Sequence, residues 1–129
     1  MLAWVSDSSV RVGSGMLPKV RKIVQHMRAN LDQSLSLDDL ARLTGLSKSR
    51  TSELFRMETG TSPGQYLTML RMEKARELLE TTSLSIAQIR ARIGMRDESH
   101  FVRVFKKTFN ITPSKYRLTA QKIKEERTG

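Results

Sequence analysis

Apolar residues recur every three or four positions along most of the chain. Val20, Ile23, Val24, Met27 and Leu31 do so with Lys19, Arg21, Lys22 and Arg28 on other faces, which predicts an amphipathic helix over about 18–30. Ser36-Leu37-Asp38-Asp39 has the form of a capping box, with Ser36 accepting from the Asp39 amide, and predicts a short helix through Leu40, Ala41 and Leu43 that stops at Gly45. Ser47 is a fresh N-cap for a helix to about Glu58, before Gly60. Ser62-Pro63 then opens a longer helix with Tyr66, Leu67, Leu70, Ala75, Leu78 and Leu79 on one side, ending near Thr81. The three prolines, Pro18, Pro63 and Pro113, all stand where a helix would begin. The expected fold is all-α with about seven helices. Residues 1–15, closing in Gly13-Ser14-Gly15, hold no sustained period and read as a flexible linker or an expression scar that folding does not need.

The segment after Thr81 repeats the one before it. Ser85-Ile86-Ala87-Gln88 matches the box at Ser36, Ile89 matches Leu40, and Gly94 matches Gly45, all at an offset of 49 residues. After one inserted residue the offset is 50, and Leu54, Phe55, Gly60, Ser62, Pro63 and Tyr66 correspond to Val104, Phe105, Asn110, Thr112, Pro113 and Tyr116. Asn110 in place of Gly60 is sensible, because asparagine is the next best residue for a left-handed C-cap. The expected organisation is a first helix-turn-helix subdomain over 16–62, a linker helix over 63–81, a second helix-turn-helix over 82–118 and a tail over 119–129.

In such a pair the first helix braces the second, and a small residue with a turning glycine, here Ala41 and Gly45, lets them cross. With Leu54 and Phe55 as anchors, Lys48, Ser49, Arg50, Ser52, Glu53 and Arg56 form an exposed face able to enter a major groove. In the second copy Phe101, Val104 and Phe105 anchor, and Arg96, Glu98, Ser99, His100, Arg103, Lys106 and Lys107 form the polar face. One such pattern alone is weak, since many three-helix bundles share it.

Charge strengthens the reading. The 129 residues hold 23 Lys and Arg against 13 Asp and Glu, a formal net charge of +10, which makes a polyanion the default partner. The excess is local: residues 90–117 carry eight basic and two acidic side chains, whereas 37–58 carry four of each. Aromatics are only 5% of the chain, which favours a duplex over a stacked single strand. No apolar run approaches the roughly 18 residues needed to span a bilayer, so the chain reads as soluble and cytoplasmic, with no membrane partner.

The run from Ser85 to Ile89 with Ile93-Gly94, then Ser99 to Lys107, then Thr112-Pro113-Ser114-Lys115-Tyr116-Arg117, resembles the signature of the AraC/XylS family of transcriptional regulators. The first copy, Leu37 to Ala41 through Gly60-Thr61-Ser62-Pro63 and Arg71 to Ala75, resembles that family's upstream half, and the match covers about residues 17–118. The resemblance implies a bacterial unit of seven helices in which a linker helix holds two recognition helices for successive major grooves on one face of the duplex. It also implies activation through RNA polymerase, and action as a monomer per site, or as a dimer if a sensor domain belongs to the protein. Residues 1–15 are too few for a sensor. Arg90 stands where the family usually has a small residue, Met95 where it has Phe, and Thr51 where it has Leu. Glu53 falls where members often carry a base-contacting side chain; it can accept from cytosine or be held off the phosphates.

Little supports other chemistry. With no cysteine and only His26 and His100, 74 positions apart, no metal or cofactor is expected. Asp32, Asp38 and Asp39 suit caps and loops, and no nucleophile motif accompanies the histidines, so no catalytic residue is assigned. His26 reads as a surface residue, His100 as either a base contact or a packed ring, and Met57, Met69, Met72 and Met95 as core fillers. Two rival functions remain beside a sequence-specific duplex-DNA regulator: a basic helical protein-interaction module and an RNA-binding protein, although no suitable aromatic motif supports the latter.

Overall fold

A computed structural model describes residues 16–128, and the expectation for residues 1–15 lies outside them. The described residues form seven α-helices and no strand: α1 (Pro18–Ala29), α2 (Leu37–Thr44), α3 (Lys48–Thr59), α4 (Pro63–Thr81), α5 (Ile86–Ile93), α6 (Glu98–Phe109) and α7 (Pro113–Thr128). They divide into two units, the first reaching Thr68 and the second beginning at Met69, so that the division falls within α4.

The capping boxes and left-handed C-caps that start and stop most of these helices are the ones the sequence predicts. Ser36 and Ser85 both form complete capping boxes, with the Asp39 and Gln88 side chains accepting from the cap residue's own amide. Gly45, Gly60 and Gly94 end α2, α3 and α5 in the left-handed region, and Asn110 ends α6 there at φ 63°. A Cβ at Gly45 would meet nothing within 4 Å, so the glycine is required by its φ of 74° and not by close helix approach.

In the first unit α1 buries Val20, Ile23, Val24 and Met27, as its spacing predicts. They share the core with Leu40, Phe55, Tyr66 and Leu67, and Phe55 meets Tyr66 edge to face at 5.3 Å. Thr51 is also fully buried, and its hydroxyl lies 3.0 Å from that of Thr44. The Thr44 hydroxyl donates to the Ala41 carbonyl and accepts from the Leu46 amide, so its one proton is committed and Thr51 is the donor of the pair. A satisfied threonine pair thus stands where the second unit has Ile93 and Phe101, both buried. Leu54, expected as an anchor, is only half-buried, and Thr51 takes that role beside Phe55.

The second unit's core comprises Met72, Ala75, Leu78, Leu79, Ile89, Ile93, Met95, Phe101 and Phe105. Phe105 is its centre, with ring centroids at 4.8 Å to Phe109, 5.9 Å to Phe101 and 6.0 Å to Tyr116. The Arg76 guanidinium lies 4.9 Å over the Phe109 ring. Arg117, counted above with the basic patch, donates to three backbone carbonyls at and after the end of α4: Leu79 at 3.4 Å, Thr82 at 3.2 Å and Leu84 at 2.6 Å. Its neighbour Tyr116 donates to Glu80 at 2.7 Å. α7 continues without a break through the predicted tail to Thr128.

Burial and the adjacent Glu80 push the Tyr116 phenol up from 10.0 to about 12. The fold therefore favours the neutral phenol, and the stability this brings is present below about pH 10 and lost as pH rises towards 12. Melting temperature is expected to fall through that window more steeply in the parent protein than in Tyr116→Phe; equal slopes would contradict the assignment.

Candidate nucleic-acid interface

Each unit presents the second helix of its pair, α3 or α6, through a capped start. Ser47 accepts from the Arg50 amide at 3.1 Å to begin α3, and Asp97 accepts from the His100 amide at 3.0 Å to begin α6. The sequence reading missed the Asp97 cap, although an Asp directly before the polar face is the signal for one. The His100 amide holds the Asp97 carboxyl below its ordinary 3.8, and the Ser36 amide does the same for Asp39. Both caps contribute above that value and weaken as pH falls below it.

Lys48, Ser49, Arg50, Glu53 and Arg56 on α3 are exposed, while Ser52 is half-buried. Ser52 lines a cavity of about 290 Å³ with Met27, Leu35, Leu40, Pro63 and Leu67, all within the first unit. Arg96, Glu98, Ser99, His100, Arg103, Lys106 and Lys107 are all exposed, His100 included, so its ring is not packed in the core. The predicted residues of the first unit therefore lie on the outward side of α3, with Ser52 at its edge, and those of the second on the outward side of α6, with Arg96 in the turn before it. Met57 is corrected: it is 72% exposed at the end of α3 and fills no core, whereas Met72 and Met95 are buried and Met69 is half-buried. The period puts Met57 two positions past the buried Phe55, on the outer side of the helix.

The two faces differ in electrostatics. On the first, Arg50 pairs with Glu53 and Lys48 lies 3.5 Å from Asp38, which leaves Arg56 as the one cation of its predicted set with no ion pair among the described residues. On the second, Arg96, Arg103, Lys106 and Lys107 form no ion pair among the described residues, and Glu98 faces Arg90 at 3.6 Å. Four exposed cations outside any such ion pair can neutralise phosphates directly, although Arg103 also attracts the Asp97 carboxylate. Arg90 and Arg117, by contrast, belong to the fold: Arg90 keeps only 16% of its side chain exposed and donates to the Arg96 carbonyl. Arg90 also occupies the position of Ala41, so the second corner does not demand the small residue that the pattern suggested.

Among the described residues no helix is long and apolar enough to cross a membrane. Residues 40–119 match the family model described as a helix-turn-helix domain. The chain is 35% identical over 101 residues to the HTH-type transcriptional activator RhaR of Mannheimia succiniciproducens, covering 78% of this chain and 37% of the relative. It spans between 26% and 37% of the length of the curated relatives it matches. Among solved structures it is similar to the C-terminal domain of AraT, a response regulator from Geobacillus stearothermophilus, with TM-score 0.76, 36% identity and coverage of 82% and 88% of the two chains. It is also similar to the DNA-binding domain of the global transcriptional factor AdpA in complex with a target DNA, with TM-score 0.74, 26% identity and coverage of 78% and 91%.

Proposed function

The chain belongs to the AraC-type helix-turn-helix family, and from that premise we propose that it is a sequence-specific double-stranded DNA-binding regulator of transcription. In this reading α3 and α6 enter two successive major-groove segments, and the residues named above on each helix supply the contacts. The observation that carries it is the duplicated capped helix pair, with an exposed polar face on each second helix and, among the described residues, four cations outside any ion pair on the second unit, Arg96 in the turn before α6 and Arg103, Lys106 and Lys107 on it. Activation is part of the proposal, supported by similarity to RhaR, which is named a transcriptional activator, and contact with RNA polymerase is the route we propose for it. An action in the cytoplasm, without a metal, a cofactor or catalysis, completes the proposal.

The faces differ at matched positions, Glu53 opposite Arg103 and Arg50 opposite His100. The two half-sites should therefore differ in sequence, unlike the palindrome that a symmetric reader selects. RNA is disfavoured because Phe55, Tyr66, Phe101 and Phe105 are all buried and offer no stacking platform.

Selection from a pool of random duplexes tests this reading. A preferred sequence with two unlike halves supports it, and recovery without any preference, or tighter binding to single-stranded RNA, refutes it. On the selected site, an in vitro transcription assay that shows occupancy without a change in transcript would refute activation.

A further inference from the structure

Both units tie the bracing helix to the first residue of the recognition helix by an ion pair, but with reversed polarity. In the first, Asp38 on α2 faces Lys48 at 3.5 Å; in the second, Arg90 on α5 faces Glu98 at 3.6 Å. Lys48 and Glu98 are equivalent by the 50-residue offset. The surroundings differ as well, since Lys48 and Asp38 are both more than half exposed, whereas the Arg90 side chain is largely covered.

An acid at the first position of α6 creates a conflict. The positive helix end favours Glu98 there, but its negative charge opposes any phosphate that approaches the same end. Arg90 meets this conflict from the inside. One guanidinium nitrogen faces the Glu98 carboxylate and another donates to the Arg96 carbonyl, while the Arg90 main-chain carbonyl accepts from the Met95 amide at 2.9 Å. The turn that leads into α6 is thus held through both the backbone and the side chain of one residue.

Stability alone does not account for this arginine. Its Nε is buried with no hydrogen-bond partner, which is costly, and Ala41 at the equivalent corner shows that alanine suffices there. We propose that Arg90 is a positioning residue for DNA binding, which draws the Glu98 carboxylate onto itself and away from the phosphates and sets the start of α6. The proposal rests on the DNA-binding reading above. It predicts that Arg90 acts on the duplex through Glu98, because its own guanidinium is turned inward.

The test compares the parent protein, Arg90→Ala, Arg90→Lys, Glu98→Gln and the Arg90→Ala/Glu98→Gln double variant. Each is titrated with a labelled duplex carrying the selected site, at two salt concentrations and below every variant's melting temperature. Arg90→Ala is expected to bind roughly tenfold more weakly at low salt, with the loss shrinking at high salt. Glu98→Gln should recover most of that loss in the Arg90→Ala background and tighten the parent far less. Arg90→Lys, which keeps the charge and loses the fork to the Arg96 carbonyl, should fall between the parent and Arg90→Ala. An Arg90→Ala variant that binds like the parent, or a Glu98→Gln effect of equal size in both backgrounds, overturns the proposal; so does a loss that tracks melting temperature alone. If the parent itself prefers no duplex, the DNA-binding reading fails, a result distinct from parent binding without Arg90–Glu98 coupling.

Discussion

Arg117→Ala is expected to destabilise the second unit by about 2–4 kcal/mol, from the loss of three hydrogen bonds donated by a charged group. Their acceptors, the Leu79, Thr82 and Leu84 carbonyls, lie where α4 ends and its last carbonyls lack helical partners. Arg117→Lys should recover only a minor part, because one ammonium cannot span three acceptors. Urea unfolding followed by circular dichroism measures this. A midpoint within error of the parent would show that these bonds contribute nothing net.

The second large effect concerns how α6 divides its contacts. Arg103 lies four positions after Ser99 and shares its face, is exposed, and forms no ion pair, while Glu98 is held by Arg90. An exposed guanidinium on the outer face, held by no ion pair and only attracted by the Asp97 carboxylate, can take guanine O6 and N7 together, so Arg103→Ala should cost about 1–3 kcal/mol and relax preference at one base position. Lys106 and Lys107 stand one turn further on, where a helix laid in the groove rises towards the backbone. Lys107→Ala should weaken all sequences alike and reduce the log–log salt slope by about 0.9. Specificity profiles for both variants at several salt concentrations decide between these roles. Retained base preference in Arg103→Ala, or an altered preference with an unchanged slope in Lys107→Ala, would reverse the assignment.

Much of this molecule is legible in its sequence because the decisive interactions are local. A capping box closes over three residues, a left-handed C-cap is one residue's φ, and a helical face follows from the period; Ser36, Ser85, Gly45 and Asn110 could therefore be placed without coordinates. The exposed faces of α3 and α6 follow from the same period, once Phe55 and Phe105 mark the inner side. What escaped was side-chain reach across sequence distance. Arg117 looked like one more surface cation because its partners lie 33 to 38 residues away. Arg90 looked like a poor fit at a crowded corner because a period assigns a face and not the direction in which a long side chain leaves it. Thr51 looked like an anchor lost, since its hydroxyl is satisfied only by Thr44, another polar residue folded over it. Met57 shows the opposite failure, where residue type suggested a core that the period does not support.

The central claim, two recognition helices of one chain reading two groove segments, is tested most directly by hydroxyl-radical footprinting on the selected duplex at protein concentrations where the chain is monomeric. The account predicts two protected patches about 10 base pairs apart. A single short patch, or protection that appears only when two copies assemble, would contradict it.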